Sequence, residues 1–266
     1  MAKSKEPNRY SRLIESIFSK YYRAGVREIT FAREELEQAA KELKVILPKN
    51  LGDVLYTFRY RSILPESITS TAPAGFEWMI CPAGRSKYKL ALVQQSIVVP
   101  SNMMAETKIP DATPGIISRY ALNDEQAALA KIRYNRLIDI FTGLTCYSLQ
   151  NHLRTAVPEM GQVETDEIYI GIDKRGVHYV LPIQAKGRKD KIGIVQIEQD
   201  VQVCESKFPD LVCRPIAAHS LNDEVIALFE FEYSENEIRI FSEKHYKLVK
   251  SKDLSLDELR SYQERF

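Results

Sequence analysis

The chain has 266 residues, 44% of them hydrophobic, which bounds it to one or two globular domains with a real core. No apolar run approaches the roughly 18 residues needed to cross a bilayer, and MAKSKEPNRY lacks a signal-peptide segment, so a soluble cytoplasmic protein with no membrane partner is expected. The four Cys and four His show no C-x-x-C or H-E-x-x-H spacing, which argues for free thiols and against zinc, and the formal net charge is only +1.

Local charge is more informative, since residues 1–62 carry 13 Lys or Arg against 8 Asp or Glu, which is compatible with phosphate binding. An amphipathic helix opens the chain, with Leu13, Ile14, Ile17, Phe18 and Tyr21 at helical spacing and Gly25 ending the pattern. Thr30 is expected to cap a second helix reaching Leu43, with Leu36, Ala39, Ala40 and Leu43 on its buried side. A third helix, about Asn50 to Tyr60, has Leu51, Val54, Leu55 and Phe58 on one stripe and leaves Tyr56, Arg59, Tyr60 and Arg61 partly on other faces. The stretch from Phe76 to Val93 reads as a hairpin, with Arg85, Lys87 and Lys89 on the return strand. Three helices followed by a basic hairpin is the order of a winged-helix module, in which the third helix enters a major groove and the hairpin touches backbone. The plainer reading of the same residues is a small helical cap with solvated basic side chains.

From Gln94 to Tyr120 prolines punctuate the chain, giving one short apolar strand, then irregular backbone and a domain boundary. Asp124 is expected to start a helix to about Phe141, ended by Gly143, and a second helix is expected over Ser148 to Ala156, from which Gln150, Asn151, His152 and Arg154 could reach a site. Gly161 to Lys191 then reads as a hairpin. Glu164, Asp166, Ile168, Ile170 and Ile172 share one strand face, and Gln184 and Lys186 share a face of the other strand. If Arg175-Gly176 forms a two-residue turn, Asp173 faces His178 and Asp166 faces Ala185. A one-residue shift or a bulge would bring Asp166, Gln184 and Lys186 to one point. Downstream, residues 192–208 have helical periodicity, 210–219 and 225–233 read as strands, and Ser251 to Phe266 reads as a charged helix.

An acid, an amide oxygen and a lysine at one point suit metal-assisted phosphodiester hydrolysis. Mg2+ prefers oxygen ligands and is often held by one or two carboxylates plus substrate phosphate. Asp166 would be the main ligand and Gln184 would add its oxygen, while Lys186 would serve the attacking water. A surface hairpin with solvated rim charges remains the alternative on these residues alone.

The order helix, Asp-bearing strand, strand ending in Gln-x-Lys, helix, strand resembles the core of the PD-(D/E)XK nuclease superfamily, found in many restriction endonucleases and DNA-repair nucleases, over roughly Asp124 to Tyr233. The resemblance implies that Asp166 is the metal-binding acid, Gln184 the second ligand and Lys186 the motif's lysine, with Gln196 or Gln199 at a polar position on the next helix that often contacts DNA or the site. Two departures stand out. Gln184 replaces the usual carboxylate, with Glu164 the compensating candidate and Glu167 and Asp173 less well placed. The acid carried by the first helix in part of the family is absent, with Gln150 or Asn151 nearby instead.

The expected fold is α/β (α+β): a winged-helix-like DNA-recognition domain at 1–100, a linker at 101–122, and a restriction-endonuclease-like mixed sheet flanked by helices at 123–266. The expected function is a Mg2+-dependent DNA endonuclease hydrolysing phosphodiester bonds, with Mn2+ as substitute, acting on double-stranded DNA as a homodimeric type II restriction enzyme. Catalytic residues are Asp166, Gln184, Lys186 and Glu164, of which Asp166, Gln184 and Glu164 hold metal; DNA-binding residues are Asn50, Tyr56, Arg59, Arg61, Arg85, Lys87, Lys89 and Gln196. The other classes kept open are a non-catalytic winged-helix regulator with an inactive nuclease-like domain, and a structure-specific repair nuclease.

Overall fold

The computed structural model describes residues 9–48, 51–60, 62–84, 86–94, 97–122, 125–158, 160–234 and 237–264, without the side chains of Asp53, Tyr56, Arg59, Tyr60 and Glu237. The chain forms two compact units, one comprising Met1–Val98 with Ala156–Gln162 and Gly193–Val195, the other Val99–Thr155, Val163–Ile192 and Gln196–Phe266.

The first unit contains α1 (Arg9–Tyr21), β1 (Glu28–Ala32), α2 (Arg33–Leu43), α3 (Gly52–Tyr60), α4 (Glu66–Thr69), β2 (Glu77–Pro82), β3 (Lys87–Val93) and β4 (Ile97–Val98). Its antiparallel sheet has the order β1-β3-β2. The apolar stripes of the three longer helices, Leu13, Ile14, Ile17 and Phe18, then Leu36, Ala39 and Ala40, then Val54, Leu55 and Phe58, close over Trp78, Ile80 and Leu90 of the sheet. Thr30 does not cap a helix: it lies in β1 opposite Lys89. Ile29 and Phe31 are buried on alternate positions, so the period-two pattern prevails over the capping signal. The helix starts after Ala32, whose N–H donates to Glu35 Oε2 at 2.9 Å.

The second unit contains β5 (Glu106–Pro110), α5 (Gly115–Tyr120), α6 (Glu125–Tyr134), α7 (Leu137–Thr142), β6 (Thr145–Val157), β7 (Gly161–Ile172), β8 (His178–Lys186), β9 (Ile192–Gly193), α8 (Ile194–Lys207), β10 (Val212–Cys213), β11 (Ile216–Ser220), β12 (Val225–Ser234), β13 (Glu237–Val249) and α9 (Leu256–Gln263). Its eight-stranded mixed sheet runs β5-β13-β12-β11-β8-β7-β6, with β10 also on β8. β11 lies parallel to β8, so α8 is the crossover between them. Leu129 and Ile132 of α6 and Leu137 and Ile138 of α7 pack on Tyr169, Leu181, Ile183, Ala185, Ile216 and Ala218.

Four expectations are corrected here. Residues 148–156 belong to strand β6: Leu149 and Leu153 mimic helical spacing, but Thr145, Cys146 and Tyr147 favour a strand that pairs beside β7. The helix expected over 124–141 is two helices, because Asn135 leaves the helical pattern to accept from the Ala112 N–H at 2.7 Å and donate to Asp111 and Thr113, and Arg136 takes a φ of 50°. The region read as irregular holds β5, which completes a ladder with β13 far along the chain, and α5. The hairpin turn is longer than two residues.

That turn sets the geometry of the whole hairpin. Asp173 N–H donates to Val177 O at 3.2 Å and Gly176 N–H to Asp173 O at 3.0 Å, with Gly176 at a φ of 82°. This is a three-residue loop whose left-handed position suits glycine. Asp173 Oδ1 accepts from the N–H groups of Arg175 and Val177. Ile172 consequently faces His178, and the pairing runs on to Glu167 opposite Ile183, one residue displaced from the two-residue-turn register.

Candidate active site

Beyond the paired stretch, Asp166 in the middle of β7 reaches the backbone of β8 next to Lys186 at that strand's end. Asp166 is 9% exposed, and its Oδ2 accepts from the Ala185 N–H at 2.8 Å. Lys186, whose side chain is 12% exposed, places Nζ 3.1 Å from Glu125 Oε1 in the first turn of α6. Burial is the largest influence on Asp166 and raises its pKa, against the opposing effects of Lys186, the Ala185 amide and His152. Burial also works against the Lys186 charge, but Asp166, Glu125 and Asp190 outweigh it and raise the lysine pKa. Each of the two groups is thus the other's principal charge partner.

Gln184 is 2% exposed and donates its amide to the Glu164 carbonyl at 3.3 Å and to Asp200 Oδ1 at 3.2 Å. Asp200 lies on α8, wholly buried, and also accepts from Thr165 Oγ1 at 2.6 Å. Strict strand alternation would put Thr165 on the face of Glu167, opposite to Gln184; both nevertheless bond one oxygen, so the alternation of β7 slips at Asp166. Burial pushes the Asp200 carboxyl up to about 8, despite the hydrogen bonds from Thr165 and Gln184. Asp200 Oδ2 has no hydrogen-bond partner.

The other expected site residues fall in different surroundings. The Glu164 side chain is partly exposed and pairs with Arg154 at 3.2 Å and His152 at 3.5 Å. Glu167 points to the opposite face, where it accepts from Arg133. Asn151 Oδ1 accepts from the same arginine at 3.3 Å. Gln196 is on α8 with its Oε1 buried and unpartnered. In the first unit, Lys87 is exposed on β3 and Lys89 pairs with Glu28 at 3.1 Å. Tyr56 and Arg59 lie on α3 with side chains outside the described set, and Asn50, Arg61 and Arg85 lie outside the described residues.

Three further residues lie at the cluster: Glu125, Asp200 and His219. Glu125 has no signal in the sequence, because 148–156, a strand, reads there as the helix before the hairpin. Asp200 had a visible signal: it falls three and four residues from Ile197 and Cys204, inside a buried helical stripe where an acid is out of place. His219, opposite Lys186 in the β8–β11 pairing, is buried with both ring nitrogens unpartnered, and burial lowers its pKa.

A cleft of about 920 Å3 opens beside this cluster, lined among others by Glu125, Lys131, His152, Arg188, Lys189 and Asp190. Among the described residues no group of three or more His, Cys, Asp or Glu is arranged to hold a metal ion. The donor set suits a hard cation that keeps waters: one buried carboxylate, one amide oxygen and a nearby glutamate. Compared with known proteins, the chain matches no family model, no curated protein and no solved structure.

Proposed function

We propose that the protein is a Mg2+-dependent endonuclease of double-stranded DNA, of the restriction type. The carrying observation is the buried Asp166 of β7, bonded to the Ala185 N–H next to Lys186 at the end of β8, with Glu125 of α6 on the lysine. The order α6, β6, β7, β8, α8, β11, with β11 parallel to β8, supports the PD-(D/E)XK reading. In the first unit, the order α1, β1, α2, α3, β2, β3 around a three-stranded sheet supports a winged-helix DNA-recognition module.

Asp166 and the Gln184 oxygen would hold Mg2+, with Mn2+ as substitute and Glu125 or Glu164 as a further oxygen donor. The bound cation supplies charge neutralisation at the scissile phosphate. Lys186 then needs only to exchange Glu125 for the attacking water or a phosphate oxygen, which its three donors and flexible stem permit. Its burial strengthens that interaction relative to water. Cutting both strands of a duplex calls for two sites, so a homodimer is the assembly proposed.

Supercoiled plasmid and genomic DNA, modified and unmodified, incubated with Mg2+ test this reading. Asp166→Ala or Lys186→Ala should reduce cleavage by about 100-fold or more while leaving DNA binding largely unchanged. Cleavage like that of the wild type in both variants would refute the site. The Glu125–Lys186 ion pair favours, as a second reading, a non-catalytic DNA-binding regulator, in keeping with the absence of a three-acid group among the described residues. That reading is sustained instead if DNA binding is independent of Mg2+ and no strand is cut.

A further inference from the structure

The environment of position 184 supplies a physical reason for its amide. Gln184 is almost wholly buried, so its polar atoms need partners. Nε2 has two hydrogens and meets two acceptors, the Glu164 carbonyl and Asp200 Oδ1. Asp200 Oδ1 is held in turn by the Thr165 hydroxyl, so Asp200 is pinned by donors from two strands. An ionised glutamate at 184 would have no hydrogen for the Glu164 carbonyl and could meet Asp200 only by sharing the proton of that buried carboxyl. An unfilled acceptor and two acids sharing one proton are costly in a buried place.

We propose that Asp200 is a positioning residue for the candidate cation site. By accepting from Nε2 it fixes the orientation of the Gln184 amide and leaves Oε1 as the only atom of that side chain that can be offered to a cation. Gln184 and Asp200 therefore form a matched pair, in which the acid sits on α8 and the amide on β8. The unpartnered, fully buried Asp200 Oδ2 fits a residue kept for this contact and not for filling space with an apolar side chain. The cation part of the inference rests on the proposed nuclease reading; the pairing itself rests on the hydrogen bonds.

The full-length chain and four variants, Asp200→Asn, Asp200→Leu, Gln184→Glu and Gln184→Glu with Asp200→Asn, separate the two parts. Thermal unfolding is followed without metal, and Mn2+ binding is titrated without DNA. Asparagine at 200 can still accept from Thr165 and Gln184, so Asp200→Asn should keep Mn2+ affinity within about threefold, whereas Asp200→Leu should lose about tenfold. Gln184→Glu should lower Tm by about 5 °C, and adding Asp200→Asn should restore most of it, because the new amide donates to the new carboxylate. Equal Mn2+ losses in Asp200→Asn and Asp200→Leu would overturn the orienting role. Additive Tm changes in the double variant would overturn the pairing. Wild-type protein that binds no Mn2+ would overturn the cation part together with the nuclease reading, while the Tm coupling would still decide the pairing.

Discussion

Two neighbouring acids of β7 are buried in opposite ways. Glu167 is 0% exposed and receives Arg133 Nε and Nη2 at 3.1 and 2.9 Å along with the Ser148 hydroxyl. It is committed to a structural ion pair. Glu167→Ala should cost about 3 kcal/mol in urea unfolding, the low end for a broken buried pair, since Arg133 is 36% exposed and can rehydrate. Asp166 has a backbone amide and a nearby lysine, and its carboxylate is disfavoured by burial. Asp166→Asn retains an acceptor for Ala185 and removes that penalty, so Tm should stay level or rise while cleavage is lost. A large fall in Tm with Asp166→Asn would mark the residue as structural instead. The sequence pointed to Asp166 and Lys186 because both combine strand parity with a hydrolytic residue type. It could not point to Glu125, and it marked Asp200 only as an acid out of place in a buried stripe, because what either residue meets depends on which helix packs on which end of the sheet.

At the scale of the element, the three-residue turn does more than join two strands. Its register sets which residues of β7 face those of β8, as far as Glu167 opposite Ile183, and so where Asp166 and Lys186 lie along the pair. Burial alone would raise the Asp173 pKa, but the Val177 amide, the Arg175 side chain and the Arg175 amide hold it down to about 2. A depressed carboxylate contributes stability above its unfolded value of 3.8 and loses it as pH falls toward about 2. Protection of the Val177 and Arg175 amides against exchange, relative to their intrinsic rates, should therefore fall across that acid window in the wild type, and Asp173→Ala should show the low protection already at neutral pH. Unchanged exchange in Asp173→Ala would remove the side chain from control of the turn. Helix α8 was legible from its own periodicity, with Ile197, Val201 and Cys204 on the buried side. Strand β6 was not, because its apolar residues fall at helical intervals and its partner β7 is needed to choose between the two conformations. β13 was missed for a related reason: charged residues interrupt its pattern, and a ladder with β12, shifted at Glu230/Phe231, supplies its stability.

At the scale of the whole molecule, a formal net charge of +1 leaves no general attraction to DNA, so the proposed DNA binding rests on local positive groups. Under the proposed winged-helix reading, affinity for a short duplex without metal should fall by about 10^3-fold between roughly 50 and 200 mM salt, as for some six phosphate contacts. Lys87→Ala should reduce the salt slope by about 1. Fluorescence anisotropy checks both, and a salt-independent affinity would discard the phosphate-binding surface. No helix among the described residues is long and apolar enough to cross a membrane. The sequence by itself determined the helical stripes of the first unit, the β7–β8 hairpin and the chemical character of Asp166, Gln184 and Lys186, because these follow from periodicity and residue type over short stretches. Only the tertiary structure decided the hairpin register, the strand identity of 145–157, the place of β5 and β13 in the sheet, and the arrival of Glu125 and Asp200 at the site. Those features arise from hydrogen bonds and packing between segments far apart in the chain, and local propensity is too weak to specify them.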